Sequence, residues 1–215
     1  MDGNNRWSKK NKVTKYHSYK KGANKLIKLT NFIFDNTNTR YVSAFALSKN
    51  NLNRSQKLIS MLRSLLLEFV DSFLEDDNQV NYNISFIGDR SFLDSNTVKK
   101  IDKLENLPKK SQKYLIIFIN YSGQEDIAQA AHNYHLNLKK NYRKKNFKDF
   151  LLTKNLPDPD ILIRTGGYSR LSDFKIYQST FTELFFTKKL WPDLSKNDLL
   201  KIFNKFYCLE RKFGL

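Results

Sequence analysis

Residues 114–120 read YLIIFIN, six apolar side chains in succession with no polar residue between them. A strand with one wet face alternates polar and apolar positions. A run without alternation has to be covered on both faces, as the strands of a parallel sheet are when helices pack above and below them. "DILIR" at 160–164 is a shorter run of the same kind, and "YVSAFAL" at 41–47 and "NISFIG" at 83–88 also read as strands.

The segments between these runs carry a helical period. Leu26, Ile27, Leu29, Ile33 and Phe34 give residues 18–34 one apolar face, and residues 55–75 form the longest helical pattern, with Ser55 as its N-cap. Helices are also expected over 95–107, ended by Pro108, over 123–138, and over 195–213 behind a capping Ser195, with a short strand "ELFF" at 183–186. Strands alternating with helices predict an α/β fold, a single domain over residues 1–215 with a mostly parallel central sheet flanked by helices. No internal repeat or linker interrupts it. In the long helix, Leu58, Met61, Leu62, Leu65, Phe69 and Phe73 form the stripe expected against the core, while Ile59, Leu66, Leu67, Val70 and Leu74 widen it into a second apolar face suited to lining a lipid tunnel.

Composition narrows the function classes. A single cysteine, Cys208, excludes an internal disulfide and fits a reducing, cytoplasmic compartment. No apolar run approaches the roughly 18 residues of a membrane span, and "MDGNNRWSKKNK" lacks the apolar core of a secretory signal. The net charge is +17, but the lysines are dispersed along the chain with only short clusters such as residues 139–148. That argues for attraction to anionic lipid or phosphorylated substrates rather than nucleic acid.

Ligands of open α/β sheets sit beyond the carboxyl ends of the strands. Arg164 ends a buried strand, Gly166 and Gly167 allow a sharp turn with approachable amides, and Arg170 and Ser172 follow. Two guanidiniums, a hydroxyl and free amides suit a phosphate or diphosphate; the same residues also suit an ordinary turn whose arginines pair with surface acids. The other strand ends, "SKNNLNR" at 48–54, "GD" at 88–89 and "NYSGQEDI" at 120–127, are polar as well, and "MDGNNRW" places a carboxylate beside further donors. A carboxylate next to phosphate-binding donors is what a magnesium diphosphate site needs.

Together, "MDGNNRW", "DPDILIRTGGYSRLSDF", "TELFFTKKLWPD" and "ERKFG" resemble the cis-prenyltransferases, the undecaprenyl diphosphate synthase family, over nearly the whole chain. The resemblance implies condensation of isopentenyl diphosphate with an allylic diphosphate such as farnesyl diphosphate, Mg2+ as cofactor, a homodimer, peripheral contact with the inner face of a membrane, and a polyprenyl lipid carrier as product. It implies Asp2 as the catalytic aspartate and a magnesium ligand, and Glu183 as the second metal carboxylate. Gly3, Asn4, Asn5, Arg6 and Trp7 would surround the allylic diphosphate, with Lys15 and Tyr19 nearby. Arg164, Arg170, Leu171 and Ser172 would hold isopentenyl diphosphate. Ser48, Lys49, Asn50, Leu52 and Arg54 belong to a mobile second motif, in which Asn51 takes the place assigned to proton removal.

The sequence departs from the family pattern at several of these positions. Asn5 replaces a usual glycine, Tyr19 falls where a histidine is expected, Lys15 replaces a frequent arginine, Leu52 an aromatic and Tyr168 a glutamate. The family also carries an apolar strand immediately before "MDGN", so the resemblance implies a strand encoded upstream of Met1, without which Asp2 would be poorly anchored. His132 and His135 have no ligand partners in the sequence and are expected on a helix surface. A short-chain or branching synthase, and a subunit that only stabilises a partner enzyme, remain alternatives at this point.

Overall fold

The computed structural model describes residues 1–76, 80–109, 111–139 and 146–213. Among the described residues, five strands, β1 (Tyr41–Phe45), β2 (Asn83–Ile87), β3 (Tyr114–Phe118), β4 (Ile161–Arg164) and β5 (Glu183–Phe186), alternate with six helices. These are α1 (Asn4–Lys10), α2 (Lys15–Asn36), α3 (Gln56–Glu75), α4 (Ser95–Glu105), α5 (Gly123–Lys139) and α6 (Lys196–Tyr207).

Every strand pair is parallel, as the unbroken apolar runs require. The sheet, however, is in two parts: β1 and β2 flank β3, and β4 pairs with β5 alone. β3 carries the YLIIF run through the middle of the larger part, and Leu115, Ile116, Ile117 and Phe118 are all buried. Leu115 and Ile117 face a core with α2, α3, α4 and α6, while Ile116 and Phe118 face a smaller aromatic cluster with Tyr121, Phe45 and Phe174. Each such fully buried side chain contributes about 1.5–3 kcal/mol, so the two faces fix the register of β3 strongly.

Helix boundaries follow local chemistry. Ser195 caps α6 reciprocally with Asp198, and α6 stops at Tyr207, short of the expected 213, with 208–213 outside the helix. Asp94 caps α4 by accepting from Thr97 N–H. Ser55 does stand at the N-cap of α3, but its side chain makes no capping bond. α1 begins inside "MDGNNRW" itself, where sequence period gave no helix, because Gly3 takes φ +108° and turns the chain into it. A Cβ on Gly3 would also meet Leu190 at 2.8 Å. Residues 140–145 of the lysine cluster and Gly214 of "ERKFG" lie outside the described residues.

Candidate active site

Residues 1 and 2 bridge the carboxyl ends of β1 and β4. The Met1 amine donates to Phe45 O at 3.5 Å, and Asp2 N–H donates to Thr165 Oγ1 at 3.0 Å. Thr165 Oγ1 donates back to Asp2 O at 2.9 Å, and Trp191 N–H reaches the same carbonyl at 2.9 Å. The backbone of Asp2 is therefore held from two sides, against the expectation of a loose anchor. Its carboxylate is left to face two arginines, Oδ1 at 3.4 Å from Arg6 Nη2 and Oδ2 at 3.3 Å from Arg164 Nη2.

Arg6 is aimed by its own bond, Nη1 donating to Gly166 O at 2.7 Å. Arg164 also donates to Ser172 Oγ at 2.5 Å and to the carbonyl of Arg170, which folds the 164–172 loop back on itself. Gly166 and Gly167 adopt φ +91° and +82°, the left-handed turn read from the sequence. Their amides are not free donors, however: Gly166 N–H goes to Lys189 O at 2.7 Å and Gly167 N–H to Thr187 O at 2.9 Å. The turn extends β4–β5 pairing, so the guanidiniums and the Ser172 hydroxyl, not the glycine amides, are the groups left available to an anion.

This polar edge opens into a cavity of about 1140 Å³. Asp2, Gly3, Asn4, Asn5 and Arg6 line its mouth with Tyr19; Ser48, Asn51 and Arg54 enter from the loop after β1; Arg164, Leu171 and Ser172 close the third side. The wall behind is apolar, with Leu26 and Ile33 of α2, Leu62 and Phe69 of α3, Val42 of β1 and Ile163 of β4. β1 and β4 both border it, and no strand lies between them among the described residues. The two faces of α3 do not divide as expected. Leu58, Leu62, Leu65 and Phe69 of the expected core stripe line the cavity together with Leu66, whereas Phe73 of that stripe and Ile59 and Val70 of the other face are buried in packing.

The loop bearing Ser48, Asn51 and Arg54 is a single turn, Lys49–Asn53, tied to Tyr121 by a Ser48–Tyr121 bridge and by Lys49 N–H to Tyr121 O at 3.0 Å. The Tyr121 hydroxyl donates to the buried Asp126 at 3.0 Å, whose other oxygen accepts Leu152 N–H at 2.8 Å. Burial raises the Asp126 carboxyl above its ordinary range, and burial likewise raises the Tyr121 phenol. One buried cation also borders the cavity. Lys175, 3% exposed, donates to Ser43 Oγ at 3.2 Å, and burial pushes its amine down to about 8.

Several sequence-derived binding residues lie off this wall. Trp7 is buried and spends its indole N–H on Asp193 Oδ1 at 2.6 Å, so it anchors α1 rather than facing the mouth. Lys15 is an exposed first residue of α2, Lys49 pairs with Glu125 at 2.5 Å, and Asn50 and Leu52 are not among the residues that line the cavity. Arg170 does not itself line the cavity; its guanidinium covers the Tyr168 ring at 4.4 Å and donates to Ser172 Oγ at 3.3 Å. Glu183 pairs with Ile161 at the start of β4, not with Arg164 at its end, which puts it about 10 Å from the edge that holds Asp2 within one chain. Among the described residues no group of three or more His, Cys, Asp or Glu is placed to hold a metal. His132 and His135 are exposed on α5. Sequence reasoning missed Thr165, Trp191 and Lys175; the first two stand inside "RTGG" and "LWPD", where their partners could not be read.

A family model for prenyltransferases of the undecaprenyl diphosphate synthase type matches residues 1–214. The chain belongs to this family. A geranylgeranyl-diphosphate-specific tritrans,polycis-undecaprenyl-diphosphate synthase of Pyrobaculum aerophilum is 36% identical to it over 99% of the chain and 92% of the relative. An isoprenyl transferase of Thermotoga maritima is 31% identical over 100% and 94%. The crystal structure of lavandulyl diphosphate synthase from Lavandula x intermedia, in complex with dimethylallyl diphosphate, superposes with a TM-score of 0.89 at 30% identity, covering 100% of this chain and 95% of that one. The fold is thus the α/β fold of the cis-prenyltransferases, and the protein is a prenyltransferase.

Proposed function

We propose that this prenyltransferase condenses isopentenyl diphosphate with an allylic diphosphate, farnesyl diphosphate in the first round, in a magnesium-dependent reaction. It repeats the step to build an undecaprenyl-type polyprenyl diphosphate, a lipid carrier for cell-wall glycans. The observation that carries this reading is the continuity of an arginine cluster with an apolar cavity of about 1140 Å³. Ordinary small-molecule pockets span about 300–1,000 Å³, so this one suits a hydrocarbon longer than the starter.

In the reaction the allylic C–O bond breaks and pyrophosphate leaves. The double bond of isopentenyl diphosphate supplies the electron pair of the new C–C bond, and a proton is lost from the adjacent carbon. Arg6 and Arg164, either side of Asp2, suit neutralisation of the leaving diphosphate; Arg164, Arg170 and Ser172 suit the diphosphate of isopentenyl diphosphate. Asn51 borders the reacting space, but a neutral amide orients rather than deprotonates, so the proton goes to an oxygen of the departing pyrophosphate. The apolar wall keeps water from the allylic cation. Magnesium fits the donor set, because it needs one or two carboxylates with substrate phosphates and waters, and Asp2 is a carboxylate on the polar edge. When bound, the ion would offset diphosphate charge there.

The short-chain reading draws on the likeness to lavandulyl diphosphate synthase. Incubation with farnesyl diphosphate, labelled isopentenyl diphosphate and Mg2+ separates the readings. Long polyprenyl products are expected, single-condensation or branched products would favour the short-chain enzyme, and no incorporation would overturn the proposal in favour of a supporting subunit.

A homodimer is supported by exposed apolar side chains around β5, with Leu184 43%, Phe186 40% and Phe181 51% exposed. Peripheral membrane contact by a cytoplasmic enzyme is supported by α1 and α2, since residues 3–34 carry nine Lys and Arg and no Asp or Glu. No described helix is long and apolar enough to cross a membrane.

A further inference from the structure

Tyr168 follows the two left-handed glycines, and three guanidiniums converge on its ring. The Arg170, Arg6 and Arg164 carbons lie 4.4, 5.1 and 5.6 Å from the ring centroid. All three distances are within the ~6 Å over which a cation is attracted to an aromatic face. The arginines come from distant parts of the chain, α1, the end of β4 and the loop beyond it. One carboxylate, Asp2, is salt-bridged to two of them, and Arg170 instead donates to Ser172 Oγ at 3.3 Å. Three positive charges and one negative charge leave the cluster with a net +2. Like charges at this spacing repel, and something has to hold them together before an anion arrives.

We propose that Tyr168 is the positioning residue that gathers Arg6, Arg164 and Arg170 into a preformed receptor for diphosphate, a role that rests on the functional reading above. An aromatic face attracts guanidiniums without neutralising them. The ring is half-exposed and lines the cavity mouth, so it sits beside the ligand rather than in the core. The phenol oxygen has no part in this role; the ring face does.

The test uses the whole chain and two readouts, titration with inorganic pyrophosphate by calorimetry and steady-state kinetics with farnesyl diphosphate, isopentenyl diphosphate and Mg2+. Tyr168→Leu is expected to weaken pyrophosphate binding by about 10-fold or more and to raise the KM for isopentenyl diphosphate more than it lowers kcat. Tyr168→Phe, which keeps the ring, is expected to stay within about twofold of the parent for pyrophosphate. If Tyr168→Leu binds pyrophosphate as the parent does, or if Tyr168→Phe loses as much as Tyr168→Leu, the role given to the ring is wrong while the functional reading stands. If the parent itself neither binds pyrophosphate nor incorporates isopentenyl diphosphate, the functional reading falls and this proposal falls with it.

Discussion

Asp2 and Arg164 stand 162 residues apart in sequence, and Asp2 Oδ2 lies 3.3 Å from Arg164 Nη2. The contact exists because Thr165, the next residue, exchanges two hydrogen bonds with the backbone of Asp2. Backbone and side chain are thus assigned different work, the one to anchoring and the other to charge. Asp2→Ala keeps the anchoring bonds and loses the charge. Turnover is expected to fall at least ~100-fold, with a thermal midpoint close to that of the parent by scanning calorimetry. Near-normal turnover would remove Asp2 from the chemistry.

Gly166 allows that arrangement by having no side chain. A Cβ there would come within 2.5 Å of Arg6 Nη2 and 3.1 Å of Asp2 Cγ, at φ +91°. Gly166→Ala is expected to cost about 1–3 kcal/mol of stability from the left-handed backbone and to push Arg6 off its bond to the Gly166 carbonyl. Denaturant titration reads the first effect and a raised KM for the allylic diphosphate reads the second. Gly167→Ala shares the strain but meets its nearest atom at 3.8 Å, so it should lower stability with less effect on KM.

Much of this site was legible in the sequence, and the unread part has a physical pattern. YLIIF and DILIR announced buried parallel strands because a run without alternation has few other solutions, and Arg164 followed as a residue at the ligand edge. What failed depended on where a group's partner lies. The amides of Gly166 and Gly167 look free in a turn, and only the continuation of β4–β5 pairing shows that Lys189 and Thr187 take them. Trp7 looks like a binding aromatic until Asp193 is found against its indole. Motif alone sets Glu183 beside Asp2, and only strand register shows that the two stand at opposite ends of the β4–β5 pair. The helical period of α3 gave two apolar faces, but period alone cannot tell which faces a cavity and which faces packing.

Leu62 tests the cavity as a chain-holding space. It lies on the cavity-facing stripe of α3, one turn beyond Leu58 and one before Leu66. Leu62→Trp fills volume without touching the arginine cluster. The first condensation is expected to continue and the average product to shorten, as read by chromatography of labelled prenyl alcohols. Unchanged product length would show that the growing chain takes another path.

Lys175 links the cavity wall to pH. The residue is 3% exposed and burial pushes its amine down from 10.5 to about 8, with Asp158 opposing that shift and Lys148 adding to it. A lysine held below its unfolded value binds its proton more weakly in the folded chain, so folding carries the full cost of the buried charge below pH ~8. As pH rises from about 8 to 10.5 the folded state sheds the proton first, and stability rises by up to about 3 kcal/mol from this group. Lys175→Met removes both the charge and the dependence while keeping a side chain of similar length. The variant is therefore expected to be more stable than the parent at pH 7, with the difference shrinking towards pH 10. Urea titrations of both proteins across that range measure it, and parallel pH profiles would show that the ammonium is not desolvated in the folded chain.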